Sequence, residues 1–575
     1  MTTGETPFTL DQYAATSCPV RTQNTFNPLI GDPEPIDAGF VERFRETTSH
    51  RDQVLRALFG HQSDSVRDLR GIRGDGGAAA IEAMAHGYRI IIGAELPADA
   101  ANHRRGTADV LLRGDDAPGG RHVYHPVLIK DHAILAATPK GQGGQLVAPL
   151  VRPFLHQARA GALRFRIESH GADLLQLVHL WYLLQAAGFA AEPPWGGVIG
   201  TDHEKKVPGQ VVVWMNLDAR QIRVFSYAST HQWKRYSAHS RYRHEHRFRV
   251  RVASRALQQT GSPDDPELVA APVRVPECEM CEWWSTCRSS LADDISLRIE
   301  RSPLDAREIM TLRNLGLTTI TDLAASDIDS LLPDYLPLVA HRNGAEARLR
   351  LAAHRGRLLA AGTHLERLTS GPIDLPQAPV EIDFDIETSA ENRVYLWGFL
   401  VHDRRDPSNQ PEYHPVARFA TLTSADEVDL AEQAATWLRD LVTSFDEVPV
   451  LVWHYSTYEI TALRRFGRVG QCRTTPNVAW LTAWARTNFV DLLPVVKQHF
   501  FGVDGLGLKA VATVGAGFSW RDPDPHGLNS QFWFADATHM ATASGREAAQ
   551  RRILEYNEDD VRATWTLRRW LRSLT

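Results

Sequence analysis

Cysteine is scarce in this sequence, with five residues among 575. So few cysteines in a chain of this length exclude the disulfide framework that is typical of small secreted proteins. In a reducing compartment, metal binding is the expected use of any cysteines that lie close together in the sequence.

Long apolar runs are also absent. The segment Met1–Leu10 has no basic stretch followed by an apolar one, and no run of about 18 apolar residues occurs in the chain. We therefore expect neither a secretory signal nor a membrane span, and we expect a cytoplasmic protein.

An excess of positive charge is lacking as well. The 63 Lys and Arg residues stand against 69 Asp and Glu residues, which leaves a net charge of -6. Any contact with nucleic acid must therefore come from local basic surfaces or from metal ions that bridge phosphates. The composition, 43% hydrophobic and 23% charged, is that of a globular protein, and the length indicates roughly three or four domains.

The most informative segment is residues 380–387, VEIDFDIE, in which acidic and apolar residues alternate strictly. A period of two places Asp383, Asp385 and Glu387 on one face of a β-strand. Like charges at this spacing oppose one another's ionisation unless a divalent cation neutralises them. The pattern predicts a Mg²⁺ or Mn²⁺ site of the kind used in two-metal phosphodiester cleavage, and a solvated strand face is the alternative.

A third carboxylate follows a second predicted strand. The apolar run from Val448 to Trp453 is followed by Glu459 at the start of a predicted helix. Binding residues often collect just beyond strand ends, so Glu459 is a candidate for the same site.

A long helix is predicted from Arg546 to Leu571, because this run lacks Gly and Pro and repeats apolar or small residues at helical spacing. Tyr556 and Asp560 are neighbours one turn apart on its packed face. A phenol beside a carboxylate can orient a metal-bound water. The alternative is that Asp560 faces solvent together with the acidic residues around it.

Three motifs follow one another in this part of the chain: Asp385-x-Glu387, Glu459 and Tyr556-x3-Asp560. They resemble the pattern of the RNase H-like DEDD exonucleases of the tyrosine subtype, most closely the YprB-like branch, over about residues 375 to 575. The resemblance implies a mixed sheet flanked by helices, two Mg²⁺ or Mn²⁺ ions and 3′ to 5′ removal of nucleotides. It makes Asp385, Glu387 and Asp560 metal ligands, and it makes Tyr556 the residue that positions the attacking water.

The second motif departs from the family pattern. The family usually has Asp there, preceded by Asn and an aromatic residue, whereas this chain has Glu459 after Tyr458, with His454 where Asn is expected. The longer carboxylate can still reach a metal, so we keep Glu459 among the catalytic residues. Asp491 is a further candidate for a supporting or substrate contact, and a helix N-cap before Leu492 is the alternative.

Four of the cysteines form a pattern: Cys18, Cys278, Cys281 and Cys287. A Cys-x2-Cys pair with a third cysteine nearby is typical of a metal site, and a distant fourth ligand would tie the two ends of a domain together. Ligation by thiolates alone suits either Zn²⁺ or an iron-sulfur cluster, and the spacing does not distinguish them. Cys472 lies outside this pattern and is expected to be a lone thiol.

Three segments lie between these cysteines: RGTADVLL at 105–112, YHPVLIK at 124–130 and LLQL at 174–177. With the cysteines, residues 10 to 290 resemble the RecB-like nucleases of the CRISPR-adaptation type. In that family one N-terminal and three C-terminal cysteines hold a 4Fe-4S cluster around a PD-(D/E)xK core. By this resemblance Asp109 binds a metal, Lys130 positions water or phosphate, and Gln176 belongs to the Gln-x3-Tyr motif.

Two positions depart from that family. Leu128 stands where an acidic residue is expected, and Leu180 stands where Tyr is expected, with Tyr182 close by. Because Mg²⁺ demands near-ideal oxygen ligation, loss of one carboxylate should sharply weaken the site. We predict a weakened or inactive nuclease that keeps a DNA-binding role. Residues that could supply a missing ligand are Glu95, His61, Asp131 and His132.

The region between the two resemblances reads as helical. Pro303 to Leu332 predicts two short helices joined by a turn at Gly316. This resembles a helix-hairpin-helix, whose turn amides can grip a phosphate, and a plain helical linker is the alternative.

Local basic groups offer contacts for a nucleic acid. Six arginines lie between Arg241 and Arg255, with Tyr242 and Phe248 interleaved, and Arg247 and Arg251 are among them. Such a segment suits phosphate contact with base stacking, and an exposed basic face is the alternative. Lys509 could likewise contact a phosphate or be solvated.

These patterns predict an α/β multidomain protein with a RecB-like iron-sulfur domain at 1–295, a helical part at 296–372 and an RNase H-like exonuclease domain at 373–575. We expect a metal-dependent DNA exonuclease that acts on single strands or 3′ ends in repair, recombination or defence, with helicase or repair partners. Two alternatives stay open: a dual nuclease with an active RecB-like site, and a noncatalytic DNA-binding scaffold.

Overall fold

The computed structural model of the chain describes residues 8–34, 50–60, 65–72, 74–139, 143–207, 209–227, 232–299, 304–466, 475–523 and 527–575. His61 and Cys472, for which the sequence suggests a ligand and a lone thiol, lie outside the described residues.

The chain forms two compact units. The N-terminal unit comprises the described residues up to Arg298 together with Leu304–Leu317 and Asp329–Arg348. The C-terminal unit comprises Thr318–Ile328 and Leu349–Thr575. The α/β multidomain character predicted above is confirmed, whereas the three-part division stays a prediction, since both units draw residues from 296–372.

The N-terminal unit is rich in short strands. They are β1 (Val66–Asp68), β2 (Ile90–Asp99), β3 (Arg104–Arg113), β4 (Tyr124–Ile129), β5 (Leu135–Ala137), β6 (Leu146–Pro149), β7 (Arg159–Ala160), β8 (Leu163–Phe165), β9 (Trp195–Ile199), β10 (Val211–Asn216), β11 (Ile222–Ser226) and β12 (Gln232–Tyr236). Eight form one mixed sheet in the order β1-β2-β3-β4-β9-β10-β6-β7, in which β1 with β2 and β4 with β9 are parallel pairs. The strands β5 and β8, and β11 and β12, form separate antiparallel pairs.

Helices cover both faces of this sheet. Those with complete bounds up to residue 298 are α1 (Pro19–Phe26), α2 (Gly76–His86), α3 (Ile167–Ala186), α4 (Ala238–Leu257), α5 (Trp284–Ser290) and α6 (Ile295–Arg298). The apolar side of α3, including Leu174 and Leu177, packs on one face. A helical stretch at 50–59 packs Val54 and Leu58 against the other.

The predicted pair of short helices around Gly316 is confirmed. The helices of this region are α7 (Ala306–Asn314), α8 (Ile320–Ala325), α9 (Ile328–Tyr335) and α10 (Ala345–Ala360). Gly316 has a φ of 88°, which glycine adopts readily, so it ends the first helix and turns the chain. Asp305 and Thr319 cap α7 and α8 through their side chains. A phosphate-gripping role for this turn stays a prediction.

A five-stranded mixed sheet forms the centre of the C-terminal unit. The strands of this unit are β13 (Leu365–Arg367), β14 (Val380–Thr388), β15 (Val394–Asp403), β16 (Glu412–Ala417), β17 (Val450–His454), β18 (Phe489–Asp491) and β19 (Phe500–Gly502). The sheet has the order β16-β15-β14-β17-β18, with β14, β17 and β18 parallel to one another and β15 antiparallel to its neighbours. The strands β13 and β19 form a separate antiparallel pair. The central strand β14 is the one predicted from the alternating segment.

Helices flank this sheet, as the sequence predicts. They are α11 (Ser424–Ser444), α12 (Tyr458–Phe466), α13 (Pro476–Asn488), α14 (Leu492–His499), α15 (Leu508–Ala516), α16 (Gly527–His539) and α17 (Ala543–Ser573). The last of these confirms the long helix predicted from Arg546 to Leu571. Among the described residues, no helix is both long and apolar enough to cross a membrane.

The two faces of β14 are used differently. Ile382 and Phe384 lie in an apolar core with residues of α11 and α13, such as Leu430 and Leu481. The acidic face is turned toward α17, which brings its own polar residues to the sheet. The position of the acidic face under one helix creates the site described next.

Candidate active site

Three carboxylates from two elements meet at one point of the C-terminal unit. Asp385 and Glu387 come from β14, and Asp560 comes from α17. One oxygen of each lies within 4.8 Å of the others. Glu387 and Asp560 are buried, and Asp385 is half-buried. These are the three residues predicted as metal ligands, and the structure brings them together.

Burial and mutual repulsion disfavour the ionised form of the carboxyl groups in this cluster. Burial raises the pKa of Asp385 well above its usual range, and the nearby carboxylates of Glu387 and Asp560 raise it further. For the same reasons the pKa of Glu387 is raised to about 8. A divalent cation such as Mg²⁺ or Mn²⁺ would offset the repulsion among these carboxylates, and carboxylate oxygens are the ligands that such ions prefer.

Asp383, which the sequence also places on this face, does not join the cluster. The guanidinium of Arg568 donates a hydrogen bond of 2.6 Å to Asp383 and also binds Glu381, which Arg572 binds as well. The first half of the acidic face is therefore neutralised by arginines of α17 rather than by a metal. The sequence analysis missed both arginines.

A buried amide holds the first ligand in place. The side chain of Asn557 is fully buried, and its Nδ2 donates a hydrogen bond of 2.7 Å to Asp385 Oδ2. Its Oδ1 accepts a hydrogen bond of 2.9 Å from the Tyr413 hydroxyl. The sequence analysis did not single out Asn557. Its place three residues before Asp560, on the same face of a long helix, is the signal that could have found it.

Lys509 is part of the site. Its Nζ donates a hydrogen bond of 2.8 Å to the Tyr556 hydroxyl and lies 3.2 Å from Asp560 Oδ1. The indole of Trp520 donates a further hydrogen bond of 2.7 Å to the same oxygen of Asp560. Burial raises the pKa of Tyr556, and the Asp560 carboxylate raises it further, so the phenol stays neutral.

Glu459 lies beside the three-carboxylate group but outside it. Its side chain is buried at the start of α12, where Oε2 is 3.4 Å from His454 Nδ1. That ring nitrogen is hydrogen-bonded instead to the Ser456 carbonyl oxygen at 2.7 Å, which leaves Glu459 Oε2 without a hydrogen bond. Burial raises the pKa of Glu459, and Glu459 in turn raises the pKa of Asp385.

A cleft of about 430 Å³ opens onto this group of residues. Asp385 and Asp560 lie in its wall together with two lysines, Lys497 and Lys509. The first turn of α15, which has no acidic residue, also borders it. Lysine ammonium groups and the N–H groups at a helix N-terminus, next to a carboxylate cluster, can bind the phosphate groups of a nucleic acid.

Asp491 serves both of the uses considered for it. Its Oδ1 accepts a hydrogen bond of 2.9 Å from the Leu493 amide, so it caps α14. The same oxygen accepts a hydrogen bond of 2.9 Å from the Ser456 amide. Ser456 has a φ of 91° and lines the cleft, so Asp491 supports the cleft wall from behind.

Sequence comparison agrees with this geometry. A family model of the RNase H superfamily matches residues 382–572. Residues 382–572 form an RNase H-like domain. The matched region contains all five residues predicted to be catalytic in this unit: Asp385, Glu387, Glu459, Tyr556 and Asp560.

Other comparisons add little. No curated protein shows significant sequence similarity to the chain. A solved structure described as foamy viral protease-reverse transcriptase dRH in complex with double-stranded DNA is 8% identical, covering 74% of this chain and 71% of its own, with a TM-score of 0.11. A likeness of that strength carries no argument about fold or function.

The residues predicted for the second nuclease site do not all contact one another in the N-terminal unit. Lys130 Nζ donates a hydrogen bond of 2.7 Å to Gln176 Oε1, so these two predicted residues do meet. Asp109 is instead bound by Arg51 at 2.7 Å and by the Ile129 amide at 2.9 Å. Both carboxylate oxygens of Asp109 are therefore already engaged by protein donors, which a metal ion would have to displace.

Leu128 is buried in the apolar core against α3, so the position of the missing acidic residue is filled by a packing side chain. Of the residues considered as substitutes, Glu95 lines a separate cleft with Asp11 and Asp75. Asp131 is near enough to Asp109 for that carboxylate to affect it: burial raises the pKa of Asp131, His50 and Arg51 lower it, and Asp109 raises it further.

The four patterned cysteines lie around one small cavity in the N-terminal unit. All four are free thiols. The Val275 amide and the Asn24 side-chain amide direct hydrogen bonds to the sulfurs of Cys278 and Cys287. Burial raises the pKa of Cys18 and Cys281, and it raises that of Cys287 to about 11.

The arginine-rich segment forms α4, and its residues divide between two faces. The exposed arginines recur at every fourth position: Arg243, Arg247, Arg251 and Arg255. Arg249 is buried, where it donates a hydrogen bond to the Ser17 carbonyl oxygen. Tyr242 is fully buried, so the expected stacking role for this ring is wrong, whereas Phe248 is half-buried beside Arg251.

Proposed function

We propose that the RNase H-like domain is a metal-dependent nuclease that removes nucleotides from the 3′ end of DNA. The observation that supports this most directly is the convergence of Asp385, Glu387 and Asp560 within 4.8 Å, beside a cleft that contains two lysines. Bound by these carboxylates, two divalent cations would supply Lewis acidity toward the phosphodiester and a source of hydroxide at neutral pH.

The chain's own residues divide the remaining tasks. Asn557 orients Asp385 through the 2.7 Å hydrogen bond, and Trp520 orients Asp560. The Tyr556 hydroxyl, held by Lys509, positions the attacking water. Glu459 has a buried oxygen without a hydrogen bond close to Asp385, so it is placed to accept a proton or to complete the ligand set.

The cleft favours a single nucleic acid strand or a frayed 3′ end. Lys497 and the first turn of α15 lie in the wall of the cleft together with Asp385 and Asp560. A phosphate next to the cleaved bond would therefore have a lysine and backbone N–H groups as partners. Nonspecific phosphate contacts of this kind need no base-specific residues.

The test is degradation of end-labelled DNA by the full chain, purified anaerobically, with Mg²⁺ or Mn²⁺. A single strand labelled at its 5′ end should give a ladder of shortened products from the 3′ end. Asp385→Asn should abolish the ladder, whereas Glu555→Gln should keep it, because Glu555 is an exposed carboxylate on α17, the helix that carries Asp560. Endonucleolytic products, or activity in the Asp385 variant equal to that of the wild type, would refute the proposal. Labelled RNA in the same assay distinguishes the substrate class.

For the N-terminal unit, we infer a RecB-like module that binds or guides DNA and holds a 4Fe-4S cluster at Cys18, Cys278, Cys281 and Cys287. The four-thiol donor set around one cavity fits such a cluster.

The exposed arginine row of α4 supports the DNA-binding role. Residues four apart lie on one helical face, so Arg247 and Arg251 can contact successive phosphates. Replacing both with Gln should weaken binding to DNA of any sequence and reduce the salt dependence of the affinity. An unchanged affinity would remove this face from the proposed interface.

Iron and acid-labile sulfide assays test the cluster. Cys18→Ala should release iron and destabilise the N-terminal unit, because Cys18 is a ligand far in sequence from the other three and closes a long loop. Zinc without sulfide would mean a structural zinc site, and absence of both metals would refute the assignment.

The nuclease site of this module is weakened in our proposal. Lys130→Ala should therefore leave most DNA cleavage intact, whereas Asp385→Asn should not. Loss of cleavage in the Lys130 variant at unchanged DNA affinity would instead support a dual nuclease.

A further inference from the structure

Two histidines and an aspartate meet in the N-terminal unit, and none of them is a patterned cysteine or one of Asp109, Lys130 and Gln176. His132 follows the end of β4, and His170 and Asp173 lie near the start of α3. One donor atom of each residue lies within 4.8 Å of the others. Neither resemblance assigns His170 or Asp173 a role.

The spacing of two of these donors fits a metal ligand pair. His132 Nε2 and Asp173 Oδ2 are 3.2 Å apart. Two ligands of a tetrahedral zinc ion, each at about 2.0 to 2.1 Å from the metal, are separated by about 3.3 Å. The same distance also fits a hydrogen bond from the ring to the carboxylate, so a metal would take the place of one shared proton.

The helix is deformed where it supplies a ligand. His170 has φ of -121° and ψ of 24° inside α3, which are not helical values. This kink sits three residues before Asp173, and the ring of His170 lies parallel to that of His132, with centroids 4.2 Å apart. The two imidazole rings therefore lie side by side, close to the Asp173 carboxylate.

Supporting contacts hold these side chains from behind. The backbone of Ala133 interacts with the His170 ring. Lys130 Nζ lies 3.1 Å from Asp173 Oδ1, so it holds the oxygen that faces away from His132. Metal-binding histidines and carboxylates commonly have outer partners of this type.

The group is open on its outer side. The side chain of His132 is 42% exposed, while that of Asp173 is 7% exposed. An ion can therefore enter from solvent and keep water in its remaining positions. Nitrogen ligands suit Zn²⁺, Co²⁺ or Ni²⁺, whereas Mg²⁺ prefers oxygen ligands only.

We propose that His132, His170 and Asp173 form a mononuclear site for a divalent transition-metal ion of the zinc class, with at least one position open to solvent. This site is separate from the carboxylate cluster of the RNase H-like domain, and it does not depend on the proposed nuclease function. It places a cation beside Lys130 and Gln176, where a phosphate could contact both the ion and the lysine.

The test is a titration of the metal-depleted full chain with Co²⁺ in the presence of excess Mg²⁺, which occupies the all-oxygen cluster. Cobalt bound by cysteine gives intense near-ultraviolet charge-transfer bands, whereas the proposed site should give only visible bands. Zn²⁺ binding measured by equilibrium dialysis supplies the stoichiometry.

His132→Ala and His170→Ala should each lose one equivalent of bound Zn²⁺ and the visible cobalt bands, with the near-ultraviolet bands unchanged. His86→Ala, which removes an exposed histidine at the end of α2, should bind as the wild type does. His132 lies outside the helices, so its variant carries the test if the His170 variant fails to fold by circular dichroism. Zinc stoichiometry and cobalt spectra equal to those of the wild type in the folded His132 variant would overturn the proposal.

Discussion

Arg568 donates a hydrogen bond of 2.6 Å to Asp383, and it reaches this carboxylate from the same helix that carries Asp560. Asp383 and Asp385 are neighbours on one face of β14, yet the first is neutralised by the protein itself and the second belongs to the carboxylate cluster. Asp383 thus contributes to stability through its ion pair, whereas Asp385 is placed to bind a metal ion.

Asp383→Asn should therefore lower the free energy of unfolding and leave the cleavage rate unchanged. Removing one partner of a buried ion pair costs about 3 to 5 kcal/mol. Arg568 would keep Glu381 as its remaining carboxylate partner, so the lower end of this range applies. We expect the unfolding free energy of the C-terminal unit to fall by about 3 kcal/mol in urea titrations, with the cleavage rate per folded molecule unchanged. Asp385→Asn is the matched control, and it should keep stability while losing activity. The opposite pattern in the two variants would contradict this division.

Gly398→Ala should disturb the site without changing a ligand. Gly398 pairs with Asp385 across the strands, and a Cβ atom there would lie 1.7 Å from Asn557 Oδ1. The amide that orients Asp385 would have to move. Loss of a supporting contact of a metal ligand typically costs about 10- to 100-fold in metal affinity or activity, so we expect a loss of this size, measured as the Mn²⁺ dependence of cleavage. Wild-type metal dependence would mean that Asn557 is not needed.

Lys509→Met should lower the maximal rate more than substrate affinity. Lys509 holds both the Tyr556 hydroxyl and Asp560, so its loss frees two groups that face the reacting phosphate. We expect kcat to fall by about 100-fold, with partial rescue in Lys509→Arg. Lys497→Met provides the comparison, since Lys497 lines the cleft without contacting the carboxylates in this way and should mainly raise KM. A rise in KM alone for Lys509→Met would make it a simple phosphate contact.

His179 should make the N-terminal unit sensitive to acid. The pKa of His179 is lowered to about 3, chiefly by burial and also by the neighbouring His246 and Arg104, while the hydrogen bond to the Arg105 carbonyl oxygen raises it. The buried ring is neutral in the folded state, whereas the unfolded chain takes up a proton below about pH 6.5. Stability is therefore lost as pH falls from about 6.5 toward the folded pKa, by about 1.4 kcal/mol per pH unit.

His179→Gln should reduce this loss. We expect the difference in unfolding free energy between about pH 7 and about pH 5 to be smaller by about 2 kcal/mol than in the wild type. His86→Gln, at an exposed position, should keep the wild-type difference. Equal pH dependence in the wild type and the His179 variant would show that another group controls acid sensitivity.

The strands and helices near the site could be read from local patterns. Strict alternation predicts β14, and a long run without Gly or Pro predicts α17, because both signals depend only on residues close in sequence. The alternation alone would have included Asp383 in the cluster, and the set Asp385, Glu387 and Asp560 was given by the resemblance to the DEDD exonucleases.

Contacts between distant residues were not predictable in the same way. Asn557, Arg568 and Trp520 act on β14 or on Asp560 through side chains that are ordinary helix or loop residues by composition. Their role depends on how α17 crosses the sheet, which no local period encodes. The buried position of Tyr242 was missed for the same reason. The crowded arginines suggested an exposed segment, whereas the exposed arginines of this helix occupy one face and Tyr242 lies on the buried face.

The position of α17 at the far end of the sequence has a consequence for protein synthesis. Asp385 is 172 residues from Asn557, and Asp383 is 185 residues from Arg568. While the ribosome is still making this region, β14 carries an acidic row that has neither arginine nor amide partners, so the central strand cannot be packed on that side. The proposed nuclease activity of this domain can therefore begin only when α17 has been translated and docked, and chains truncated before α17 should show no cleavage by this site.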